Sequence, residues 1–261
     1  MQDVMQREKA QAFGLSSRSA LAARAVRVVN YWEDRAHTFG LDGEDIERWG
    51  ALMAHHLPCG AAHVLDVGCG TGAMSIPLAA HGYSVTSVDV SENMVERAAA
   101  NLHARGLEAR TLVASADALP FAPASFDAVV CRNVLSNLVD PERALRQWRR
   151  VIKPGGVLMY FDSGWWHYLY DDALDSLRRA YYGTGSSSTF SELEAIAPDL
   201  PLSREVRPAW DRAFLSSLGM DVVAACDVSA QVWTEEERLR YSFAPQFMVA
   251  ARVPASDSAV Q

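Results

Sequence analysis

The sequence predicts an α/β fold in which a parallel sheet is covered by helices on both faces. Three observations carry that expectation. Short β-branched runs alternate with helical stretches, several of those runs are apolar throughout, and glycine or proline punctuates the joins. A chain of 261 residues, 49% hydrophobic and 21% charged, is large enough to bury such a core.

The elements follow in order. Leu21, Ala25, Val28, Val29 and Trp32 recur at helical spacing, which predicts a helix over Ser19–His37. Ile46, Trp49, Leu52 and Met53 mark a second helix over Asp45–Leu57, stopped by Pro58 and Gly60. His63–Val67 reads as a strand running into glycines, Ala73–His81 as a helix closed by Gly82, and Tyr83–Val88 as a strand ending at Asp89. A helix over Glu92–Ala104 has Ser91 as its cap and Gly106 beyond its end. Strands follow at Arg110–Ala114 and Phe126–Cys131. Asp140-Pro141 opens a helix whose apolar face is Ala144, Leu145, Trp148, Val151 and Ile152, and Pro154-Gly155-Gly156 turns the chain into a strand over Val157–Phe161. Beyond Asp162 the alternation stops. Gly164–Ser203 is rich in aromatic residues, carries a Gly-Thr-Gly-Ser-Ser-Ser run at Gly183, and reads as an insertion over one end of the sheet. A helix over Pro208–Leu218 and strands over Met220–Cys226 and Phe247–Val253 complete the fold, with a tail from Ala255. The expected organisation is an N-terminal helical cap (1–61), a cofactor-binding core (62–162), an aromatic lid (163–206), the rest of the core (207–254) and the tail (255–261).

Composition narrows the function. A net charge of −8 disfavours general binding to phosphate backbones, so no nucleic-acid partner is expected. The apolar runs are too short to span a bilayer, and Met1–Ala10 lacks the apolar centre of a signal peptide. Cys59, Cys69, Cys131 and Cys226 form no C-x-x-C pair, which fits reduced thiols in a cytoplasmic protein. The seven histidines and four cysteines show no metal-ligand spacing, so no metal is expected. Arg143, Arg146, Arg149, Arg150 and Lys153 form a basic helix face, read as solvated.

The densest chemical signal is Val64-Leu65-Asp66-Val67-Gly68-Cys69-Gly70-Thr71-Gly72. A glycine turn between strand and helix lets a ligand approach the backbone; alone it fits a tight turn or a nicotinamide dinucleotide site equally well. Asp66, two residues before the first glycine, suits a ligand with a positive amine and would repel a pyrophosphate. Asp89 ends the next strand, where an acid accepts both hydroxyls of a ribose. Asp117 follows the third strand, where an acid accepts from an adenine amine.

With Val88-Asp89-Val90-Ser91-Glu92-Asn93-Met94, Ala116-Asp117-Ala118-Leu119-Pro120-Phe121, Phe126-Asp127-Ala128-Val129-Val130 and Val151-Ile152-Lys153-Pro154-Gly155-Gly156, the segment Ala62–Phe161 resembles the class I S-adenosylmethionine-dependent methyltransferases, in the family's order. The resemblance implies a Rossmann-like, doubly wound, mostly parallel seven-stranded sheet with an antiparallel last strand, N-terminal helices and a lid after the fifth strand. It implies that Asp66, Gly68 and Gly70 hold the methionine part, Asp89 the ribose, and Met94, Ala116 and Asp117 the adenine, with Val90 also among the cofactor contacts. Arg132 and Asn133 sit at the mouth of the fourth strand. Met94 also fits ordinary core packing. Tyr31-Trp32-Glu33-Asp34-Arg35-Ala36 resembles a segment in which an aromatic and an arginine close over the cofactor; there Tyr31 and Arg35 are the candidates, with a surface ion pair as the alternative for Arg35.

Methyl transfer needs placement of the acceptor and exclusion of water, and a base only for some acceptors, so no compulsory motif marks the catalytic half. The candidates are Asp162 at the end of the fifth strand, Asn133, His167, Tyr168 and Tyr170, among the rings of Trp165, Trp166, Tyr181 and Tyr182. Those rings either wall a pocket or pack the insertion down. The leading expectation is methylation of a small-molecule metabolite by a monomer or homodimer. Two others stand beside it: cyclisation of the cofactor itself, as in azetidine-carboxylate synthases, with release of methylthioadenosine, and a non-catalytic cofactor-binding subunit.

Overall fold

The computed structural model describes residues 23–41, 45–58, 63–182 and 191–255. The start of the first expected helix, Cys59, the glycine–serine run at Gly183 and the tail beyond Ala255 lie outside the described residues. The chain runs α1 (23–35), α2 (Ile46–His56), β1 (His63–Val67), α3 (Ser75–Ala80), β2 (Ser84–Asp89), α4 (Glu92–His103), β3 (Arg110–Val113) and β4 (Phe126–Arg132). It continues α5 (Pro141–Val151), β5 (Ile152–Asp162), α6 (Asp172–Tyr182), α7 (Ser191–Ile196), α8 (Ala209–Ser217), β6 (Asp221–Asp227), α9 (Ser229–Val232), α10 (Glu235–Arg240) and β7 (Phe247–Arg252).

The strands form one seven-stranded sheet in the order β3-β2-β1-β4-β5-β7-β6. Pairs from β3 to β5 are parallel, and β7 runs antiparallel to both of its neighbours. Strand order therefore reverses between β1 and β4, and the crevice at such a switch point is where open α/β sheets take ligands. Register brings Val67 level with Val88, Asp89 with Val113 and Arg132 with Phe161, so the chemistry-bearing strand ends share one edge.

The sheet is buried on both faces because its side chains alternate between two cores. Leu65, Val129, Leu158 and Tyr160 meet Ala144, Leu145 and Trp148 of α5 and Leu215 of α8. Val64, Val130, Met159 and Phe161 meet Trp49 and Met53 of α2, Met74 and Leu78 near α3, and Val232 of α9. The helix starts are local and legible. Asp45, Ser91 and Asp140 each accept a backbone N–H of the first turn, from Arg48, Met94 and Arg143. Two differences from the sequence reading stand out. The fifth strand begins at Ile152, because Ile152 pairs with Phe126 before the Pro154–Gly156 irregularity. Helices α9 and α10 fill the stretch before β7; the Thr234–Glu237 capping box was the available signal for α10.

A third core joins α1 to the insertion. Val28 and Tyr31 pack with Trp166, Tyr168, Leu193, Ile196 and Phe243. Phe243 stands edge-on to Tyr168, Trp165 and Tyr182, with ring centroids 5.6, 6.3 and 6.2 Å away. The insertion is closed at its base by Arg207. Its guanidinium donates to Asp162 at 2.9 Å and to both carboxylate oxygens of Asp211, and the Tyr160 hydroxyl donates to Asp211 at 2.8 Å. Arg207 and both carboxylates are at most 1% exposed. Burial opposes the arginine's charge, but the two carboxylates more than offset this and hold its pKa above the ordinary value. Arg207→Ala leaves two buried carboxylates with a lost partner, so it should cost about 3–5 kcal/mol of stability. Urea unfolding of the variant measures this; a loss within 0.5 kcal/mol, the usual scatter of a surface substitution, would show that the cluster holds nothing.

Candidate cofactor and acceptor site

The glycine loop leaves β1 and packs against the end of β2, where the Gly68 and Cys69 N–H groups donate to the Val88 carbonyl at 2.7 and 3.0 Å. Gly68 and Gly70 both have positive φ, +66° and +52°. A Cβ on Gly68 would lie 2.4 Å from a Val134 methyl. A Cβ on Gly70 would meet no protein atom nearer than Phe39 at 4.0 Å, so that glycine opens its backbone to a cavity rather than to packing. The cavity holds about 200 Å³.

Its acids are held in place from below. Asp89 is buried; one oxygen accepts from the Gly70 N–H at 2.8 Å and the other from the Ser91 N–H at 3.0 Å. Burial raises its pKa, and these backbone bonds counter the rise. Asp66 is fully buried, and its Oδ2 accepts from the Ser75 hydroxyl at 2.5 Å, itself bonded to Ser87 at 2.7 Å. Its Oδ1 has no partner among the described residues. Burial pushes the Asp66 carboxyl up to about 7, against the Ser75 bond and with help from the Asp89 charge. A buried carboxylate oxygen without a partner is costly and is satisfied by a cationic donor. The amine of an amino-acid-like ligand is such a donor, so the site fits S-adenosylmethionine. Val90, Met94, Ala116, Asp117 and Arg132 line the same cavity. Asp117 is oriented by Ser115 and sits 3.8 Å from Arg143.

A second cavity of about 260 Å³ adjoins the first. Both are lined by Trp32, Phe39, Arg132, Asn133 and Asn137. Half of its wall is aromatic, with Trp49 of α2, Trp165 and Tyr168 of the insertion, and Trp233, Tyr241 and Phe243 before β7. Arg132 lies over the Trp49 ring at 5.0 Å.

Several sequence expectations need correction. Asp162 does not face either cavity. It accepts from the Ser136 backbone and hydroxyl, the Ser163 N–H and Arg207, which leaves it no capacity to act on a substrate. Tyr31 is buried in the third core, and Arg35 turns to Thr38 and Phe39. The face of α1 that lines the cofactor cavity is Ala25, Val28, Val29 and Trp32, spaced for one helical stripe. His167 lines neither cavity. Tyr170 is 41% exposed, and its hydroxyl reaches only the Pro198 carbonyl at 3.4 Å. Tyr168 does line the aromatic cavity, but its hydroxyl donates to Glu194 at 2.7 Å, and burial with that bond raises its pKa well beyond the range of a base. Asn133 alone among the catalytic candidates stands at the junction of the two cavities. Trp32 and Trp49 were legible only as helix faces, and Gln246 and Phe243 carried no sequence signal.

A buried carboxyl near 7 at Asp66 would make the binding of an ammonium ligand pH-dependent. An ammonium partner favours the ionised form, so below a pH of about 7 binding must first remove a proton. Affinity for S-adenosylhomocysteine should therefore fall as pH drops below 7, by up to about tenfold per unit. Asp66→Asn should bind more weakly and flatten that slope; calorimetry across pH 5–8 measures both, and an unchanged slope would remove Asp66 from the role.

Residues 65–160 match the family model described as a methyltransferase domain. The ubiquinone biosynthesis O-methyltransferase of Coxiella burnetii is 37% identical over 98 residues, 38% of this chain and 42% of that relative, so the chain spans well under half of its length. In fold, the chain is similar to the crystal structure of the [4+2]-cyclase SpnF, with a TM-score of 0.59 and 22% identity over 80% of this chain and 81% of that one. It is also similar to an S-adenosylmethionine-dependent methyltransferase from Aquifex aeolicus, with a TM-score of 0.54 and 22% identity over 82% and 92% of the two chains. In its glycine loop, strand order and matched core, the segment 65–160 is similar to a methyltransferase domain, and the cavity beside the glycine loop fits S-adenosylmethionine.

Proposed function

We propose that the protein transfers a methyl group from S-adenosylmethionine to a small molecule held in the aromatic cavity. The observation that carries this reading is the shared wall: the cofactor cavity and the aromatic cavity have five lining residues in common. A reaction between two bound molecules needs such a junction. The bound cofactor supplies an electrophilic methyl group on a sulfonium. The chain's own residues supply the rest. Asp66 and the Gly68–Gly70 backbone hold the amino-acid end, and Asp89 holds the ribose. Arg132, Asn133 and Asn137 line the passage, while Trp32 and Phe39 exclude water from it.

The rings favour a flat or apolar acceptor, and the cavity volume admits only a small one. Cofactor cyclisation needs groups that hold the cofactor's amine, for which Asp162, Asn133 and the tyrosines are the candidates; of these, Asp162 is spent on Arg207 and Ser136. No metal cluster of histidine, cysteine or acidic side chains occurs among the described residues, and none of their helices is long and apolar enough to cross a membrane.

The test is product analysis. With S-adenosylmethionine and a panel of substituted phenols and hydroxybenzoates, S-adenosylhomocysteine should accumulate only when an acceptor is present. Trp165→Ala should raise the acceptor KM by about tenfold, equivalent to roughly 1.4 kcal/mol, with little change in cofactor affinity. Rapid release of methylthioadenosine from cofactor alone would overturn the reading.

A further inference from the structure

We propose that the acceptor is an aromatic molecule with an acidic hydroxyl, that it enters the junction as its oxyanion, and that the amide N–H of Asn133 is the group that recognises it. The inference rests on the methyl-transfer reading and names its substrate class.

The orientation of Asn133 is the starting point. Its backbone N–H donates to the Phe161 carbonyl at 2.8 Å, and its φ of +57° holds it in the left-handed region that asparagine tolerates. Its side-chain oxygen accepts from Trp165 Nε1 at 3.2 Å and from Gln246 Nε2 at 3.3 Å. Its backbone carbonyl accepts from the Asn137 amide at 3.1 Å, and the Asn137 oxygen accepts from Trp166 Nε1 at 3.3 Å. Both lone pairs of the Asn133 oxygen and one of the Asn137 oxygen are thus taken by protein donors. What Asn133 has left to offer is its NH₂ group.

The other residues lining both cavities are Trp32, Phe39 and Arg132, which add ring faces and one positive charge. The junction is therefore rich in donors and positive charge. An oxyanion placed there gains an N–H bond and the arginine's field, whereas a protonated amine is repelled by that same charge.

The charged groups that line the aromatic cavity are Asp45, Arg132, Arg178, Glu194 and Glu237, with Asp66, Asp89, Asp117 and Asp140 across the junction. Glu194 accepts from Tyr168, Glu237 from Thr234, and Asp45 from the Arg48 N–H. Asp66 is assigned to the cofactor's amine. No histidine or lysine lines either cavity among the described residues. None of the five residues that line both cavities is a base at neutral pH, so the hydroxyl proton leaves to water before transfer. The oxygen lone pair then forms the new O–CH₃ bond as the sulfur–methyl bond breaks. Its electron pair stays on sulfur, giving the methyl ether and S-adenosylhomocysteine.

The test reads binding as well as turnover. 4-Nitrophenol is titrated optically against the protein saturated with S-adenosylhomocysteine. Its bound ionisation midpoint should lie about one pH unit or more below that of the free phenol. Asn133→Asp keeps an oxygen for Trp165 and Gln246 but replaces the N–H donor with negative charge, and should abolish the downward shift. Gln246→Leu frees the amide to rotate and should weaken nitrophenolate binding at least about fivefold; it serves where Asn133→Asp does not fold, as judged by its urea midpoint. With a series of substituted phenols, the pH at half-maximal kcat/KM should follow the acceptor's own acidity. A common midpoint across the series, no saturable nitrophenol binding, or an undiminished shift in both variants would overturn the inference. So would S-adenosylhomocysteine formed from anilines or alkylamines but not from phenols, although methyl transfer itself would stand. Absence of S-adenosylhomocysteine with every acceptor, together with methylthioadenosine release, would instead overturn the methyl-transfer reading.

Discussion

The arrangement of the upper half of the molecule depends on one buried ion pair. Arg207 joins the carboxyl end of β5 to the segment that enters α8, so the insertion leaves the sheet at Asp162 and returns within one hydrogen bond of the same point. The same carboxylate binds Ser136, which ties the turn after β4 into the cluster. Two carboxylates and a tyrosine hydroxyl surround the arginine, so its charge stays compensated inside the fold. With both its ends pinned there, the insertion carries its rings over the edge of the sheet where the strands deliver their polar residues.

Electrostatic division of labour follows from that geometry. On the β1–β2 side the cavity presents carboxylates, one with an oxygen unpartnered among the described residues, suited to a cationic and hydroxylated ligand. On the β4 side it presents an arginine and an amide whose own acceptor is occupied. The two sides meet at Arg132 and Asn133, the last residue of β4 and the one after it, at the point where strand order reverses. Burial sharpens the contrast, since the low local dielectric that raises the Asp66 carboxyl also magnifies the field of Arg132.

The aromatic wall is a cooperative assembly rather than a set of independent rings. Phe243 touches rings from the turn after β5, from α6 and from Trp165, and Trp165 in turn donates to Asn133. Packing and function therefore share the same side chains. The bland reading of these aromatics as packing and the functional reading as pocket wall are both satisfied by Trp165 and Tyr168.

The sequence by itself determined the cofactor half. Asp66, the glycines, Asp89, Met94 and Asp117 each lie at a strand end or helix start, and strand ends in a parallel sheet converge by construction, so their meeting follows from local pattern. The same logic placed Asp162 correctly at the edge and misjudged its role, because its partner Arg207 lies 45 residues further on. Likewise the helical period of α1 was legible, but not that Trp32 rather than Tyr31 turns to the cavity, since that depends on how the insertion packs against it. Only the tertiary structure decided the acceptor cavity. Its residues come from α1, α2, β4, the insertion, α10 and the approach to β7, brought together by side-chain contacts at separations of up to 113 residues, such as Gln246 to Asn133. No local propensity encodes such a contact, because it exists only once the sheet and both cores have formed.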